Sequence, residues 1–261
     1  MKYLGKKIII IDNSNLSYSG DDIDGSIIRG TESSLILLAE QFVKMGIEVD
    51  YSNCIEIVKK VNGVNYFNKN NINKSKIYDL AIAISDANEF KRVSSVKKAV
   101  FSNSNQSFEK FLRKKQLIPF LKYKPTLITL CDYQFKKRSF FTSFYGKKTI
   151  PITVDPKFLN IQIDNDYLPE RKVVYNIRSN RNLDILIKIW CEKIYPVNKE
   201  FKLYITPDLI KYNDYHLKNN IFLRTIGSRS EMIHELKNYR ALTYLGHKSD
   251  IFTLTAEEAI K

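Results

Sequence analysis

The sequence predicts an α/β protein with two doubly wound domains, the second of them incomplete, and two observations support this class. Short apolar runs alternate with helical patterns along most of the 261 residues, which is typical of parallel sheets covered by helices. With 44% hydrophobic and 27% charged residues, the composition excludes disordered and fibrous architectures. We expect an N-terminal domain over 1–155, a linker over 156–171 and a C-terminal domain over 172–261.

The N-terminal domain opens with a strand, a glycine-containing loop, a helix and a second strand. Residues 6–13 (KKIIIIDN) form an apolar run that is typical of a parallel strand buried on both faces. After the loop, apolar residues recur at helical spacing, with Thr31 placed to cap the helix and Gly46 to end it. The next strand is predicted at 47–51. This order is typical of the start of a doubly wound domain.

Three further apolar runs predict strands at 78–85, 98–102 and 126–131. The Asn- and Lys-rich residues 62–76 are predicted to be a solvated loop. Three prolines then punctuate residues 149–171, which lack periodicity, and this predicts the linker.

The alternation of strands and helices resumes in the C-terminal domain. The predicted strands are 172–175, 201–205, 221–223 and 241–245, and the predicted helices are 183–191 and 230–239. Residues 255–261 begin one more helix. Because a parallel strand has to follow such a helix, we expect this domain to be truncated.

The charge is strongly unbalanced. Lys and Arg number 42 against 28 Asp and Glu, for a formal net charge of +14. Residues 91–148 hold fifteen of these cations and only two acids. A surface this basic favours phosphates, anionic lipid or nucleic acid as partners.

Cysteine, histidine and hydropathy patterns exclude several classes of protein. The three cysteines and three histidines show no metal-ligand spacing. No apolar run approaches the roughly 18 residues of a membrane-spanning helix. We therefore expect a cytoplasmic protein with reduced thiols and no bound metal.

The end of the chain carries two acids around a predicted helix start. In residues 244–259 (YLGHKSDIFTLTAEEA), Asp250 precedes a helix that begins near Thr255, and Glu258 lies in the first turn of that helix. The unpaired N–H groups and positive dipole end of such a helix suit a pyrophosphate. The alternative is a capping box, in which Glu258 only closes the helix start.

A polar loop with two arginines lies between a strand and a helix at residues 173–186 (VVYNIRSNRNLDIL). Arginine can hold a diphosphate leaving group bidentately without a metal ion. Arg181 and Arg178 are therefore candidates for a phosphate clamp. The alternative is that they are ordinary surface arginines.

These two segments, together with residues 26–49 and 150–159, resemble the retaining glycosyltransferases of the GT-B fold, specifically family 4. The C-terminal motif of that family is an acid, then seven further residues, then Glu followed by Ala. Asp250 stands here where the first acid is usually Glu, and Asn182 replaces the usual Gly after the cation at Arg181. The resemblance implies a GT-B-like fold of two Rossmann-like domains.

The resemblance also implies roles for individual residues. Glu258 would bind the ribose hydroxyls of the donor, and Asp250 would lie near the donor sugar. The loop between them, with Thr253 and Thr255, would offer amides to the diphosphate. Arg181 would bind the donor phosphates, with Arg178 as a second clamp.

The acceptor side of the resemblance rests on the N-terminal domain. Gly30 would let the backbone approach the substrates, and Thr31 would open the following helix, although Thr31 could equally be a simple cap. The absence of a GxGxxG arrangement disfavours a dinucleotide-dependent oxidoreductase. Asp86 follows a strand where many family members have a histidine, which makes it a candidate contact at the carboxyl end of the sheet. Its alternative role is that of a turn residue.

The expected function is transfer of a sugar, with retention of configuration, from a nucleotide diphosphate sugar to a glycan or lipid-linked acceptor. No cofactor and no obligate metal are expected. The alternatives are an inactive nucleotide-binding remnant of this fold and a basic membrane- or nucleic-acid-binding module without chemistry.

Residues 108–123 (FEKFLRKKQLIPFLKY) interleave apolar and basic residues. Such an amphipathic face can dock on anionic lipid, and the resemblance implies peripheral membrane attachment for members with lipid-linked acceptors. Nucleic acid is disfavoured because no recognition motif is visible. The remaining alternative is a solvated, Lys-rich face.

Overall fold

The computed structural model describes residues 3–25, 28, 30–103, 108–137, 145–151, 154–159, 167–176, 182–206, 212–225 and 227–246. The chain divides into two compact units. The first comprises Met1–Ile23 and Ile27–Thr153, and the second comprises Asp24–Ser26 and Val154–Lys261.

The first unit is built on an eight-stranded sheet. Its strands are β1 (Lys7–Ile11), β2 (Glu48–Asn53), β3 (Lys59–Val61), β4 (Val64–Asn68), β5 (Ile77–Ile84), β6 (Ser94–Phe101), β7 (Thr126–Thr129) and β8 (Lys147–Thr149). Their order is β3-β4-β2-β1-β5-β6-β7-β8. All neighbours are parallel except β3 and β4, which pair antiparallel. The helices of this unit are α1 (Gly30–Lys44), α2 (Phe108–Arg113), α3 (Leu117–Tyr123) and α4 (Asp132–Lys137).

Strand β1 lies in the middle of this sheet, as its apolar run predicts. Ile9, Ile10 and Ile11 are each 0% exposed, so both faces of the strand are buried. The chain continues from β1 to β2 on one side and later to β5 on the other. The strand order therefore reverses between β1 and β5, and such a switch point is where ligands bind in doubly wound sheets.

The prediction of a solvated loop over 62–76 is wrong for its first part. Strands β3 and β4 form a hairpin there, with Val61 paired to Val64 across the two-residue turn Asn62–Gly63. Both turn residues have positive φ, 48° and 83°, as a type I′ hairpin requires. Val64 and Tyr66 alternate into the core at 0% exposure. The abundance of Asn and Lys concealed this Asn-Gly turn signal.

The second unit is built on a four-stranded parallel sheet. Its strands are β9 (Lys172–Tyr175), β10 (Lys202–Ile205), β11 (Ile221–Leu223) and β12 (Ala241–Leu242), in the order β11-β10-β9-β12. Its helices are α5 (Pro156–Leu159), α6 (Leu183–Ile189), α7 (Asp214–Lys218) and α8 (Arg229–Lys237). The predicted strands and helices of this unit are confirmed, except that β12 covers only the first two residues of the strand predicted at 241–245. Helices α5 and α7 here, and β8 in the first unit, were not predicted. The predicted helix at 255–261 lies outside the described residues.

The core of the second unit forms where α6 packs on the sheet. Val173, Tyr175 and Leu203 contribute from the strands, and the helix side contributes Leu186 and Trp190. The buried indole satisfies its N–H by donating to the carbonyl of Asn219 at 2.9 Å. In the described part of the chain, no helix has the length and apolarity needed to cross a membrane.

Candidate functional site

A polar cleft of about 210 Å³ opens at the carboxyl edge of the first unit's sheet. It lies at the switch point between β1 and β5. Its walls are residues 12–14 after β1, 31–32 in the first turn of α1, and 84–86 at the end of β5, with Asn103 and Lys114. The cleft is smaller than the roughly 300–1,000 Å³ pockets that hold drug-sized ligands, so it suits a small polar molecule.

Asp12 organises the loop after β1. Its Oδ1 accepts from the Ser14 N–H and its Oδ2 from the Ser14 hydroxyl, both at 2.9 Å. The Tyr18 hydroxyl donates to Oδ2 at 2.5 Å and lies 2.7 Å from the Tyr51 hydroxyl. Because Asp12 is only 5% exposed, these bonds compensate for the burial of its carboxylate.

The two tyrosines below this loop remain neutral. Burial, reinforced by Tyr51 and by the carboxylate of Asp12, raises the pKa of Tyr18 far above its usual range. Burial likewise raises the pKa of Tyr51. Tyr18 therefore stays protonated near neutral pH, and its hydroxyl donates to Asp12 in support of the loop.

A lysine fixes the orientation of Asn13. The Lys69 ammonium donates to the Asn13 side-chain oxygen at 3.1 Å and to the Ser14 carbonyl at 3.4 Å. Because an ammonium group can only donate, the oxygen of the Asn13 amide must face Lys69. The amide NH₂ of Asn13 is then the end that can donate to a ligand in the cleft.

Ser85 and Asp86 form the wall after β5. Ser85 has a φ of +57°, and its hydroxyl donates to Asn103 at 2.5 Å. Asp86 caps the 3₁₀ helix Ala87–Arg92 by accepting from the Asn88 N–H at 2.9 Å. Asp86 therefore caps the 3₁₀ helix and also lines the cleft, so its location fits both of the roles considered from the sequence.

The start of α1 corrects one expectation. The helix begins at Gly30, so Thr31 lies in its first turn and is not its N-cap. The Ser34 hydroxyl donates to the Gly30 carbonyl at 2.7 Å within that turn. Thr31 lines the cleft, together with Glu32, which is 8% exposed.

Several cleft residues were missed from the sequence. Asn13 and Ser14 follow the apolar run of β1, and Asn103 follows that of β6, two strands of the same parallel sheet with β5 between them; this position at strand ends is the signal that could have identified them. Lys114 lies on the turn after α2, and no local pattern marks it. Carboxylate, amide, hydroxyl and ammonium groups together can bind the hydroxyls of a sugar as both donors and acceptors.

The carboxyl edge of the second unit's sheet carries a buried cation. Arg224, after β11, is 7% exposed. Its Nε donates to Glu235 at 3.1 Å, its Nη2 bonds the second oxygen of the same carboxylate, and its Nη1 bonds Asn176 after β9. The bidentate pair joins α8 to this edge of the sheet.

The remaining predicted site residues lie outside the described residues. These are Arg178, Arg181, Asp250, Thr253, Thr255 and Glu258. Within the described ranges, no group of three or more His, Cys, Asp or Glu side chains could hold a metal ion.

Comparison with known proteins identifies the architecture. No protein-family model and no curated protein sequence matches this chain. Among solved structures, a sucrose-phosphate synthase from Thermosynechococcus elongatus aligns over 98% of this chain and 79% of its own, with a TM-score of 0.66 at 11% identity. The chain has the GT-B fold.

Two further GT-B structures agree with this assignment. A glycosyltransferase from Rickettsia africae aligns over 98% of this chain and 77% of its own, with a TM-score of 0.60 at 11% identity. An alpha-glucosyltransferase in complex with UDP and a 13-mer DNA aligns over 92% of this chain and 72% of its own, with a TM-score of 0.57 at 10% identity. The prediction of a GT-B-like fold with two Rossmann-like domains is therefore confirmed.

Proposed function

We propose that this protein is a glycosyltransferase that moves a sugar from a nucleotide diphosphate sugar to an acceptor, with retention of configuration. The observation that carries the proposal is the small polar cleft at the switch point of the first unit. Its mixed donors and acceptors suit sugar hydroxyls. The similarity of nearly the whole chain to glycosyltransferase structures supports the same reaction class.

The proposed roles of the two units follow from the charges of their side chains. In the cleft, Asp86 accepts from a sugar hydroxyl, while the amides of Asn13 and Asn103 donate to sugar oxygens. In the second unit, Arg178 and Arg181 bind the diphosphate, whose negative charge grows as the glycosidic bond breaks. A guanidinium can provide this stabilisation bidentately, so no obligate metal or other cofactor is proposed.

The rest of the proposed donor site comes from the family resemblance. Glu258 binds the ribose, Asp250 contacts the donor sugar, and Thr253 and Thr255 contact the diphosphate. An alpha-glucosyltransferase of the same fold is in complex with UDP, which supports a nucleotide-linked donor here. The acceptor is proposed to be a glycan or lipid-linked saccharide made at the cytoplasmic side of the cell envelope.

The test is release of nucleotide diphosphate from a panel of UDP-, GDP- and ADP-sugars. Asp86→Asn is expected to lower kcat about 10- to 100-fold, because a hydrogen bond to a charged group contributes about 1.5–3 kcal/mol. Asp79→Asn is the matched control, since Asp79 lies on β5 but toward the opposite edge of the sheet. We expect it to retain wild-type turnover.

Three outcomes would contradict the proposal. One is a wild-type chain that neither releases nucleotide nor gains thermal stability with any nucleotide, which would favour an inactive GT-B protein. The second is equal activity of Asp86→Asn and wild type, which would remove Asp86 from the site. The third is unchanged nucleotide affinity in Arg181→Ala, which would remove Arg181 from the donor site.

The Lys- and Arg-rich residues 91–148 are proposed to hold the enzyme at an anionic membrane surface. Within them, α2 and α3 expose Phe108 (50%), Leu112 (44%), Ile118 (76%) and Leu121 (46%). Arg113, Lys114, Lys115 and Lys122 of the same stretch are exposed as well. Three of these four apolar side chains are aliphatic, and such groups insert into lipid but do not stack on bases, so this surface favours a bilayer over nucleic acid.

Flotation with vesicles tests this attachment independently of catalysis. The protein is expected to float with phosphatidylglycerol-containing vesicles and not with pure phosphatidylcholine, since each surface-near cation contributes about 1 kcal/mol toward an anionic bilayer. Ile118→Ser with Leu121→Ser should reduce flotation, whereas Val197→Ser, at an 85% exposed site of the second unit, should not. Binding to an oligonucleotide but not to vesicles would contradict the proposal.

A further inference from the structure

A buried glutamine outside the cleft bonds both peptide groups that flank Asp86. Gln116 precedes α3 and is 1% exposed. Its Nε2 donates to the Ser85 carbonyl at 3.0 Å, and its Oε1 accepts from the Ala87 N–H at 3.3 Å. One side-chain amide therefore fixes the backbone immediately before and after this carboxylate.

The conformation of Ser85 depends on such support. Its φ of +57° lies in the left-handed region, which costs a residue with a Cβ about 1–2 kcal/mol. A conformation of this kind persists when the surroundings over-determine it. The Ser85 N–H donates to Phe101 at 2.8 Å on the neighbouring strand, and Gln116 holds the carbonyl of the same residue.

Asn88 fixes the carboxylate itself. Its backbone N–H and its side-chain NH₂ both donate to Asp86 Oδ1, at 2.9 and 2.8 Å. The same NH₂ donates to the Lys114 carbonyl at 3.3 Å. Within the described residues no group donates to Asp86 Oδ2, so this oxygen is the one available to a ligand.

We propose that Gln116 and Asn88 are positioning residues of the transfer reaction. Together they hold the turn between α2 and α3 against the loop after β5, and so set the places of Asp86 and Lys114 in the cleft wall. Neither residue lines the cleft, so each acts through its neighbours. This inference rests on the proposed sugar transfer.

Gln116→Met tests the bridge, because it keeps the side-chain length and removes both hydrogen bonds. A displacement of about 1 Å at a reacting centre can cost 100-fold in rate, so we expect kcat to fall about 10- to 100-fold. The KM for the nucleotide sugar should stay within about twofold, because the diphosphate is proposed to bind the second unit. Asn88→Ala keeps its backbone bond to Asp86 and should lower kcat less.

Tyr78→Phe is the control. Tyr78 is also 1% exposed and lies on β5, but at the opposite end of the strand from Asp86, where its hydroxyl donates to Asp50 at 2.6 Å. Both variants are expected to lose thermal stability, because each loses hydrogen bonding of a buried group. A purely structural role for Gln116 would lower kcat equally in the two variants, whereas positioning lowers it mainly in Gln116→Met.

Amide hydrogen exchange at residues 85–88 needs no substrate, so it tests the Gln116 bridge separately from the positioning role and from the proposed sugar transfer. Faster exchange there in Gln116→Met, together with the kcat loss, supports the inference. Unchanged exchange overturns the bridge whether or not the protein transfers sugar. Faster exchange with unchanged kcat overturns the positioning role alone. A wild-type chain that transfers no sugar overturns the proposed function, and the positioning role with it.

Discussion

The glycine of the β3–β4 hairpin provides a direct measure of how tightly this edge of the sheet packs on α1. Gly63 has a φ of +83°, and a Cβ added there would lie 2.5 Å from the Val43 Cγ1 atom. Gly63→Ala therefore adds two costs. One is the left-handed conformation of a residue with a Cβ, and the other is a collision with the half-buried side chain of Val43.

Gly5→Ala separates these two costs. Gly5 has nearly the same φ, +79°, and its added Cβ would meet nothing within 4 Å. The left-handed conformation costs about 1–2 kcal/mol, partly offset by about 0.4–1 kcal/mol from the stiffer unfolded chain. Overpacking adds about 1–3 kcal/mol. Gly63→Ala should therefore lose about 1–3 kcal/mol more stability than Gly5→Ala.

Urea unfolding followed by far-ultraviolet circular dichroism measures both variants against the wild type. We expect the urea midpoint to be highest for the wild type, lower for Gly5→Ala and lowest for Gly63→Ala. The slope of the free energy of unfolding against urea concentration should be the same for all three. Equal midpoints for the two variants would refute the close packing of the turn on α1. A stabilised Gly63→Ala would refute the left-handed turn itself.

Four more substitutions test other side-chain groups. Tyr18→Phe should lower the free energy of unfolding in urea by about 1–3 kcal/mol, because the buried carboxylate of Asp12 loses a hydrogen-bond donor. The hydroxyl of Tyr66 has no hydrogen-bond partner in the described part of the chain, so Tyr66→Phe should leave the stability unchanged or raise it. Arg224→Met should lose about 1–3 kcal/mol, because the half-buried carboxylate of Glu235, 26% exposed, loses its cation and keeps only its bond from Tyr239, and an unchanged melting temperature would contradict that pairing. Hydrogen bonds from the Lys6 side chain and the Lys7 N–H lower the pKa of Asp79. Its contribution to stability is therefore present above the unfolded-state pKa of about 3.9 and lost as pH falls below it, so Asp79→Asn should unfold with a shallower acid dependence.

Much of the order of strands and helices was predictable because it depends on local patterns, although β3, β4, β8, α5 and α7 were not predicted. The isoleucine run of β1 identified a strand buried on both faces, and the helical spacing of apolar residues identified α1. The β3–β4 hairpin was missed for a physical reason. Its two strands are short and contain Lys and Asn on the exposed side, so composition suggested a loop, although Asn62 and Gly63 carried the turn signal.

The cleft was predictable only in part, because its members meet through topology. Asp86 and Thr31 were identified from their positions after a strand and at a helix start, and both line the cleft. Asn13 and Asn103 lie 90 positions apart in the sequence. They become neighbours because β1 pairs with β5 and β5 pairs with β6. Local patterns in a single sequence do not indicate which strands pair with one another.

The bonds that hold the cleft are less visible still, because their donors lie far along the chain from the groups they support. Lys69 reaches back 56 positions to orient the Asn13 amide, and Gln116 reaches back 31 positions to the Ser85 carbonyl. Both contribute side chains of a kind that is common on solvated surfaces. Only the structure, through their burial or hydrogen bonds, shows that these two residues support the cleft. Substituting them changes the geometry of the cleft and leaves its ligand-contacting groups in place. If the cleft binds a sugar, its affinity should depend on these supporting residues as well as on those that touch the ligand.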